Sequence, residues 1–154
     1  MYEKRESGYL LLELLAALAV IAVVGGSTMV QTNAWLEVYY KQQVQCAARQ
    51  LAEHLRFLQQ ETMYADRATI FLDTSNIRGY YIVDGAYVVQ NCTFASQGWP
   101  EVYFRERLPS IGFGTDGAPR SSGKYVLGHK KLPRYKYLVE VQPVTGRVLV
   151  YERQ

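Results

Sequence analysis

Every one of the five prolines in this 154-residue chain lies at or after Pro100. Proline breaks helices through its fixed φ and missing N–H, so nothing of that kind interrupts a helix anywhere in the first half. Cysteine is equally scarce, with only 2, which excludes a small scaffold stapled by disulfides. Glycine stands at 12 and charge at 20% against 49% hydrophobic residues, too little bias for a collagen-like or disordered chain. The length suits one compact domain with a tail or an anchor. Two local absences matter more than these averages. From Leu14 to Leu36 there is no ionisable side chain, and between Gly117 and Val139 there is no acid.

The first absence leaves 23 consecutive uncharged positions, wholly apolar from Leu14 to Val24. At about 1.5 Å per residue they cover roughly 35 Å of helix, enough for a bilayer core. With no proline to stop it, one continuous helix is expected from about Tyr9 to about Ala65, roughly 85 Å long at the same rise. A compact globule cannot bury such a helix, so part of it belongs in a membrane or against other subunits. Glu13 stands at the head of the apolar run, where a carboxylate costs about 2.5–3.5 kcal/mol on insertion scales and requires a cationic partner.

The residues before it are a polar leader, Met1 to Gly8, and then Tyr9-Leu-Leu-Leu-Glu13. Gly8, the aromatic residue after it, and a glutamate five positions beyond the glycine resemble the type III signal of type IV pilins and pseudopilins. The resemblance implies cleavage between Gly8 and Tyr9 by a membrane prepilin peptidase and N-methylation of the new terminus, Tyr9. It also implies that Glu13 meets the N-terminal amine of a neighbouring subunit during assembly. Leu10 departs from the Thr or Ser common at that place. An ordinary secretory signal cut near Val24-Gly25-Gly26, or a plain transmembrane anchor with Lys4 and Arg5 cytoplasmic, are the alternatives, and both leave Glu13 without a role. Gly25 and Gly26 each weaken the helix by about 1 kcal/mol relative to Ala.

Beyond the apolar run Val44, Ala48, Leu51, Leu55, Leu58 and Thr62 recur at spacings of four and three, with Arg49, Glu53, Arg56 and Gln60 on other faces. This periodicity predicts an amphipathic helix with its stripe against a sheet. After Asp66 the pattern changes to strands: Ala68 to Asp73, Gly79 to Val83, Ala86 to Asn91, Val102 to Phe104, Lys124 to Leu127, Tyr137 to Gln142 and Arg147 to Tyr151. Asp84-Gly85 is a hairpin signal, and Pro143-Val-Thr-Gly146 joins the last two runs. The expected architecture is α+β: a long N-terminal helix, hydrophobic then amphipathic, packed on a meandering antiparallel β-sheet head, the pilin fold. Ala48-x-x-Leu51-x-x-x-Leu55, Ile111-Gly-Phe113, Asp116-Gly117-x-Pro119, Ser122-Gly123-Lys-Tyr-Val-Leu127 and Gly146-Arg147-Val148 look like the H-type minor pseudopilins of type II secretion and the D-type pseudopilins of competence systems. The organisation that follows is a leader at 1–8, a transmembrane and assembly helix at 9–32, an amphipathic helix at 33–66 and a β-rich head at 67–154.

Signals for chemistry are few. Gly112-Phe-Gly114-Thr-Asp-Gly117 spells GxGxxG, but Pro119 and Ser121-Ser122-Gly123 follow where a dinucleotide site needs a helix, so a turn between strands is expected. His54 lies on the helix and His129 in a basic loop, with no metal-ligand spacing around either and no nucleophile elbow in the chain. No enzymatic activity, cofactor or metal is expected. Cys46 and Cys92 would face a compartment that permits disulfides, and the sequence leaves their pairing open. Arg120, Lys124, Lys130, Lys131, Arg134 and Lys136 give +6 without an acid, so against a total of +3 the remainder of the chain carries −3. Interleaved with Tyr125, Tyr135 and Tyr137, these cations are candidates for polyanion binding, DNA included. The DNA-binding minor pilins of the T type use Gly-Arg-x-Arg, and Gly146-Arg147-Val148-Leu149 lacks the second arginine.

The resemblance thus implies a minor pilin or pseudopilin, a structural subunit of a type IV filament in secretion or competence. Its partners would be other pilins through the N-terminal helix, prepilin peptidase and the inner membrane, with the head extracytoplasmic and later in a filament. A DNA-binding receptor subunit of an uptake pilus, and a membrane-anchored protein unrelated to filaments, are the competing readings.

Overall fold

One helix, α1 (Glu6–Ala65), opens the chain. It is followed by eight strands: β1 (Ile70–Asp73), β2 (Gly79–Asp84), β3 (Tyr87–Thr93), β4 (Val102–Glu106), β5 (Ser110–Gly112), β6 (Gly123–His129), β7 (Leu132–Val141) and β8 (Val148–Arg153). The computed structural model describes residues 6–65 and 69–153; most of the expected leader and the expected strand start at Ala68 lie outside them. The chain forms two compact units, one reaching to Val38 and one beginning at Tyr39. In the first, every side chain described from Tyr9 to Gly26 is exposed.

In the second unit the stripe anticipated from the sequence is the core. Val44, Ala48, Leu51, Leu55, Leu58 and Thr62 are all fully buried, joined by Ala47 and Ala52, while Arg49, Glu53, Arg56 and Gln60 are exposed. A 3.6-residue period places these positions on one side of the helix, where they lie in one cluster with Ile70, Leu72, Ile82, Leu127, Val139 and Val141 of the strands. Thr62 satisfies its hydroxyl within the helix by donating to Leu58 O at 2.8 Å, which allows a polar residue on the buried side.

The strands form two four-stranded antiparallel sheets rather than one meander, in the orders β3-β2-β1-β5 and β4-β6-β7-β8. Short β5, not anticipated, causes the division: the chain leaves β4, pairs Ile111 with Leu72 of β1, then returns so that β6 pairs with β4. A run of aromatic rings joins the sheets. Tyr80 of β2, Phe94, Phe104 of β4 and Tyr125 of β6 follow one another at centroid separations of 6.3, 5.2 and 6.0 Å. Gly79 lets β2 and β3 approach, since a Cβ there would stand 2.5 Å from Cys92 O. β7 begins at Leu132, five residues before the expected strand at Tyr137, so the basic stretch is a hairpin with β6 and not a loop.

Candidate functional site

Tyr9–Gly26 has a mean hydropathy of 2.3, none of it is buried, and it is the one helical stretch among the described residues long and apolar enough to cross a membrane. Leucines and valines occupy every face: Leu11, Leu12, Leu14, Leu15, Leu18 and Ile21 are each more than half exposed. Gly8 and Tyr9 fall within α1, Tyr9 is 83% exposed, and Glu13 is exposed among the leucines. A Cβ at Gly25 or Gly26 would meet nothing within 4 Å, so neither glycine makes room for another part of this chain. An apolar helix exposed from Tyr9 to Gly26 with one carboxylate on its surface can insert into lipid or pack against copies of itself, and it offers one anionic anchor for a cation.

The basic residues divide between the two ends of the second unit. One end is marked by Tyr40 and Gln43 of α1 lying against His129 at the end of β6. Here Lys131 donates to Tyr40 Oη at 3.3 Å with its ammonium 5.3 Å from the ring centre, and Lys41 lies 5.6 Å over the Tyr135 ring. Lys130 sits 3.5 Å from Glu101, Arg134 is exposed beside Tyr135, and Lys136 pairs in register with Gly128 and Arg153. At the opposite end Arg56 and Gln59 of α1 meet the turns, Arg56 donating to Val148 O and Gln59 to Gly117 O. Lys124 belongs to this end, paired with Glu140 at 3.6 Å, and Arg120 lies beside Gly112 of β5. The six cations therefore form no continuous track, and carboxylates answer two of them.

Both histidines are packed within the second unit. His129, fully buried rather than looped out, accepts the Lys131 N–H at Nδ1 (3.1 Å), places Nε2 3.2 Å from Gln43 Oε1, and stacks on Tyr40 with ring centres 4.6 Å apart. Burial holds its pKa below the ordinary 6.5, with Glu101 opposing and Lys131 adding to the effect. The residues that receive it, Tyr40 and Gln43, lie three apart on α1, and their target is not evident without the fold. His54 meets Tyr80 Oη at 2.8 Å, and burial lowers its pKa against the pull of Glu53. Cys46, half-buried on α1, and Cys92, buried in β3, are both free thiols. Cys92 Sγ faces His54 Nδ1 at 3.8 Å, and His54 lies eight residues, about 12 Å of helix, beyond Cys46. Burial raises the Cys92 thiol pKa, opposed by its contact with Tyr80. Among the described residues no three His, Cys, Asp or Glu side chains group as a metal site.

The two glycine motifs serve turns. Gly112–Gly117 follows β5 without opening a helix; Phe113 bridges Pro119, and Gly117 has φ +77°. Gly146, at φ +63°, packs so closely on this turn that a Cβ would stand 2.4 Å from Gly117 O and 2.5 Å from Gln59 Nε2.

No protein-family model matches the sequence, and no curated protein does. Two crystal structures of the type IV minor pilin FimU of Pseudomonas aeruginosa, in different crystal forms, are similar in fold. One gives a TM-score of 0.54 at 13% identity, covering 72% of this chain and 98% of that one. The other gives 0.56 at 15% identity, covering 72% of this chain and 92% of that one. What is shared is the architecture, an N-terminal helix packed on antiparallel β-sheets.

Proposed function

We propose that this chain is a minor pilin or pseudopilin, a structural subunit of a type IV filament. Its leader of residues 1–8 stays in the cytoplasm and is removed between Gly8 and Tyr9 by a prepilin peptidase, which methylates Tyr9. The apolar helix holds it in the inner membrane as a single pass, with the head outside, until a filament takes it up. That filament is a secretion pseudopilus or a DNA-uptake pilus, and its work is mechanical.

The observation that carries this reading is Glu13, a carboxylate on an apolar helix that is nowhere buried within its own chain. A plain anchor gains nothing from it, and at about 2.5–3.5 kcal/mol it weakens insertion. A subunit that joins others gains a partner for a neighbour's N-terminal amine, which cleavage before Tyr9 creates at the head of the same apolar segment. The fold shared with a minor pilin supports the same conclusion.

Replacing Glu13 with Ala tests it. The variant is expected to be processed and membrane-held as before yet to be absent from sheared filaments, because only the intersubunit pairing is removed. Incorporation equal to the unaltered chain contradicts the assembly role.

A further inference from the structure

Gln43 is only 8% exposed, and the two ends of its side-chain amide have different surroundings. His129 accepts the Lys131 N–H at Nδ1, so its own hydrogen is on Nε2, which donates to Gln43 Oε1 at 3.2 Å. That bond fixes the amide and turns its nitrogen the other way, where it has no hydrogen-bond partner among the described residues. Gln43 lines a cavity of about 220 Å³ with Tyr39, Gln42, Cys46, Gly98 and Trp99, whose walls hold two aromatic rings and no charge. The free amide donors are satisfied only when an acceptor enters this space. An uncharged group with an apolar body and a carbonyl oxygen is what fits.

The second unit carries such a group itself. Its most exposed large apolar side chains among the described residues are Tyr64, Val144 and Tyr87, at 86, 82 and 81%. Of these Val144 alone follows a proline, in the turn between β7 and β8. Gly146 N–H closes that turn on Gln142 O at 3.1 Å, and Gln59 Nε2 donates to Thr145 O at 3.3 Å. The carbonyls of Pro143 and Val144 take no hydrogen bond among the described residues, so two apolar groups and two free acceptors stand together without a charge. Gln59 lies 16 residues beyond Gln43 on α1, about 24 Å of helix, so turn and cavity cannot meet within one copy. Between copies they can, and a contact that joins different surfaces of identical subunits repeats into an open row instead of closing on a dimer.

We propose that the Pro143–Val144 turn of one copy seats in the cavity between Tyr39 and Trp99 of the next, with the Gln43 amide donating to a carbonyl of the turn. The inference rests on the filament reading above and adds a contact between heads to the one made by the apolar helix. A proline-bearing segment of another protein has similar chemistry. The second copy is favoured because turn and cavity lie at opposite ends of one unit, the arrangement that a repeating row requires.

Cys46 lines the cavity as a free thiol and serves as the probe. The full chain carrying Val144→Cys is expressed with its filament system, and sheared filaments are oxidised with copper phenanthroline and resolved without reducing agent. A ladder of dimers, trimers and longer multiples is expected, because each copy offers the new thiol at one end and Cys46 at the other. Adding Cys46→Ser should abolish the ladder, and Tyr87→Cys in place of Val144→Cys should not form one. Without any crosslink, Val144→Asp puts a charge into an uncharged cavity and should lower incorporation roughly tenfold with an unchanged melting temperature, whereas Val144→Ile should keep it. Monomers alone, or only the dimers that Val144→Cys forms with itself, from filaments that contain the chain overturn the contact between heads and leave the filament reading intact. A Cys46-dependent disulfide to a different protein in place of the ladder overturns the second copy as the occupant. Absence of the unaltered chain from filaments overturns both readings.

Discussion

A histidine ring that accepts a backbone N–H at one nitrogen has only the other left to carry a proton. His129 is in this position: Lys131 N–H occupies Nδ1, so the neutral tautomer with hydrogen on Nε2 meets Gln43, and protonation breaks one bond and leaves a charge buried. Its folded pKa lies below the 6.5 of the unfolded chain, and so does that of His54. The unfolded state therefore binds more protons just below 6.5, and stability is complete above that pH and declines as pH falls through the window beneath it. Thermal melts at successive pH values should show this decline, and His129→Gln should flatten it while lowering the melting temperature at neutral pH. Tyr125 is the opposite case, fully buried with its hydroxyl unpartnered among the described residues. Tyr125→Phe removes an unsatisfied group and should stabilise the head by about 1 kcal/mol in a denaturant titration. A loss of stability would reveal a partner for the hydroxyl. Neither environment was legible in the sequence. His129 sits beside two lysines, and only the β6–β7 hairpin turns it inward while Lys130 and Lys131 face water.

At the scale of elements, the helix was the most legible part because its signal is local. Apolar positions three and four apart determine which side of α1 is buried whatever they pack against, and the six positions read from sequence are all fully buried. Leu55→Ala should accordingly cost about 2–5 kcal/mol, measured by chemical denaturation, whereas Gln60→Ala on the exposed side should change stability by no more than about 0.5 kcal/mol. Seven of the eight strands were located, the start of β7 five residues late, but β5 and the division into two sheets were not. β5 has three residues and gains its identity from β1, almost forty positions earlier, and no period is visible over so short a run. The basic stretch misled for a related reason. Adjacent in sequence, its cations are separated by a hairpin that sends Lys124 to one end of the unit and Lys130 and Lys131 to the other. Gly146, one of the glycines behind the resemblance to pseudopilins, has a packing reason as well as a turn: Gly117 and Gln59 occupy the space of any side chain.

The whole molecule joins a unit with an interior to a segment without one. From Tyr39 onward the chain buries a core on both sheets, whereas the apolar side chains from Tyr9 to Val24 are exposed. This imbalance was readable in the sequence, because an uncharged run of that length exceeds what a domain of this size can bury. In the proposed function that surface meets lipid first and neighbouring subunits afterwards, with Glu13 as the group that makes the exchange specific. All of it depends on where the mature chain begins, since the amine that Glu13 meets exists only if Tyr9 is the first residue. Intact-mass and N-terminal peptide mass spectrometry of the protein from its native membrane measures this directly. The expected mature chain starts at Tyr9 and carries one methyl group on its amine; an intact Met1, or a start near Ser27, would contradict the assembly role of Glu13.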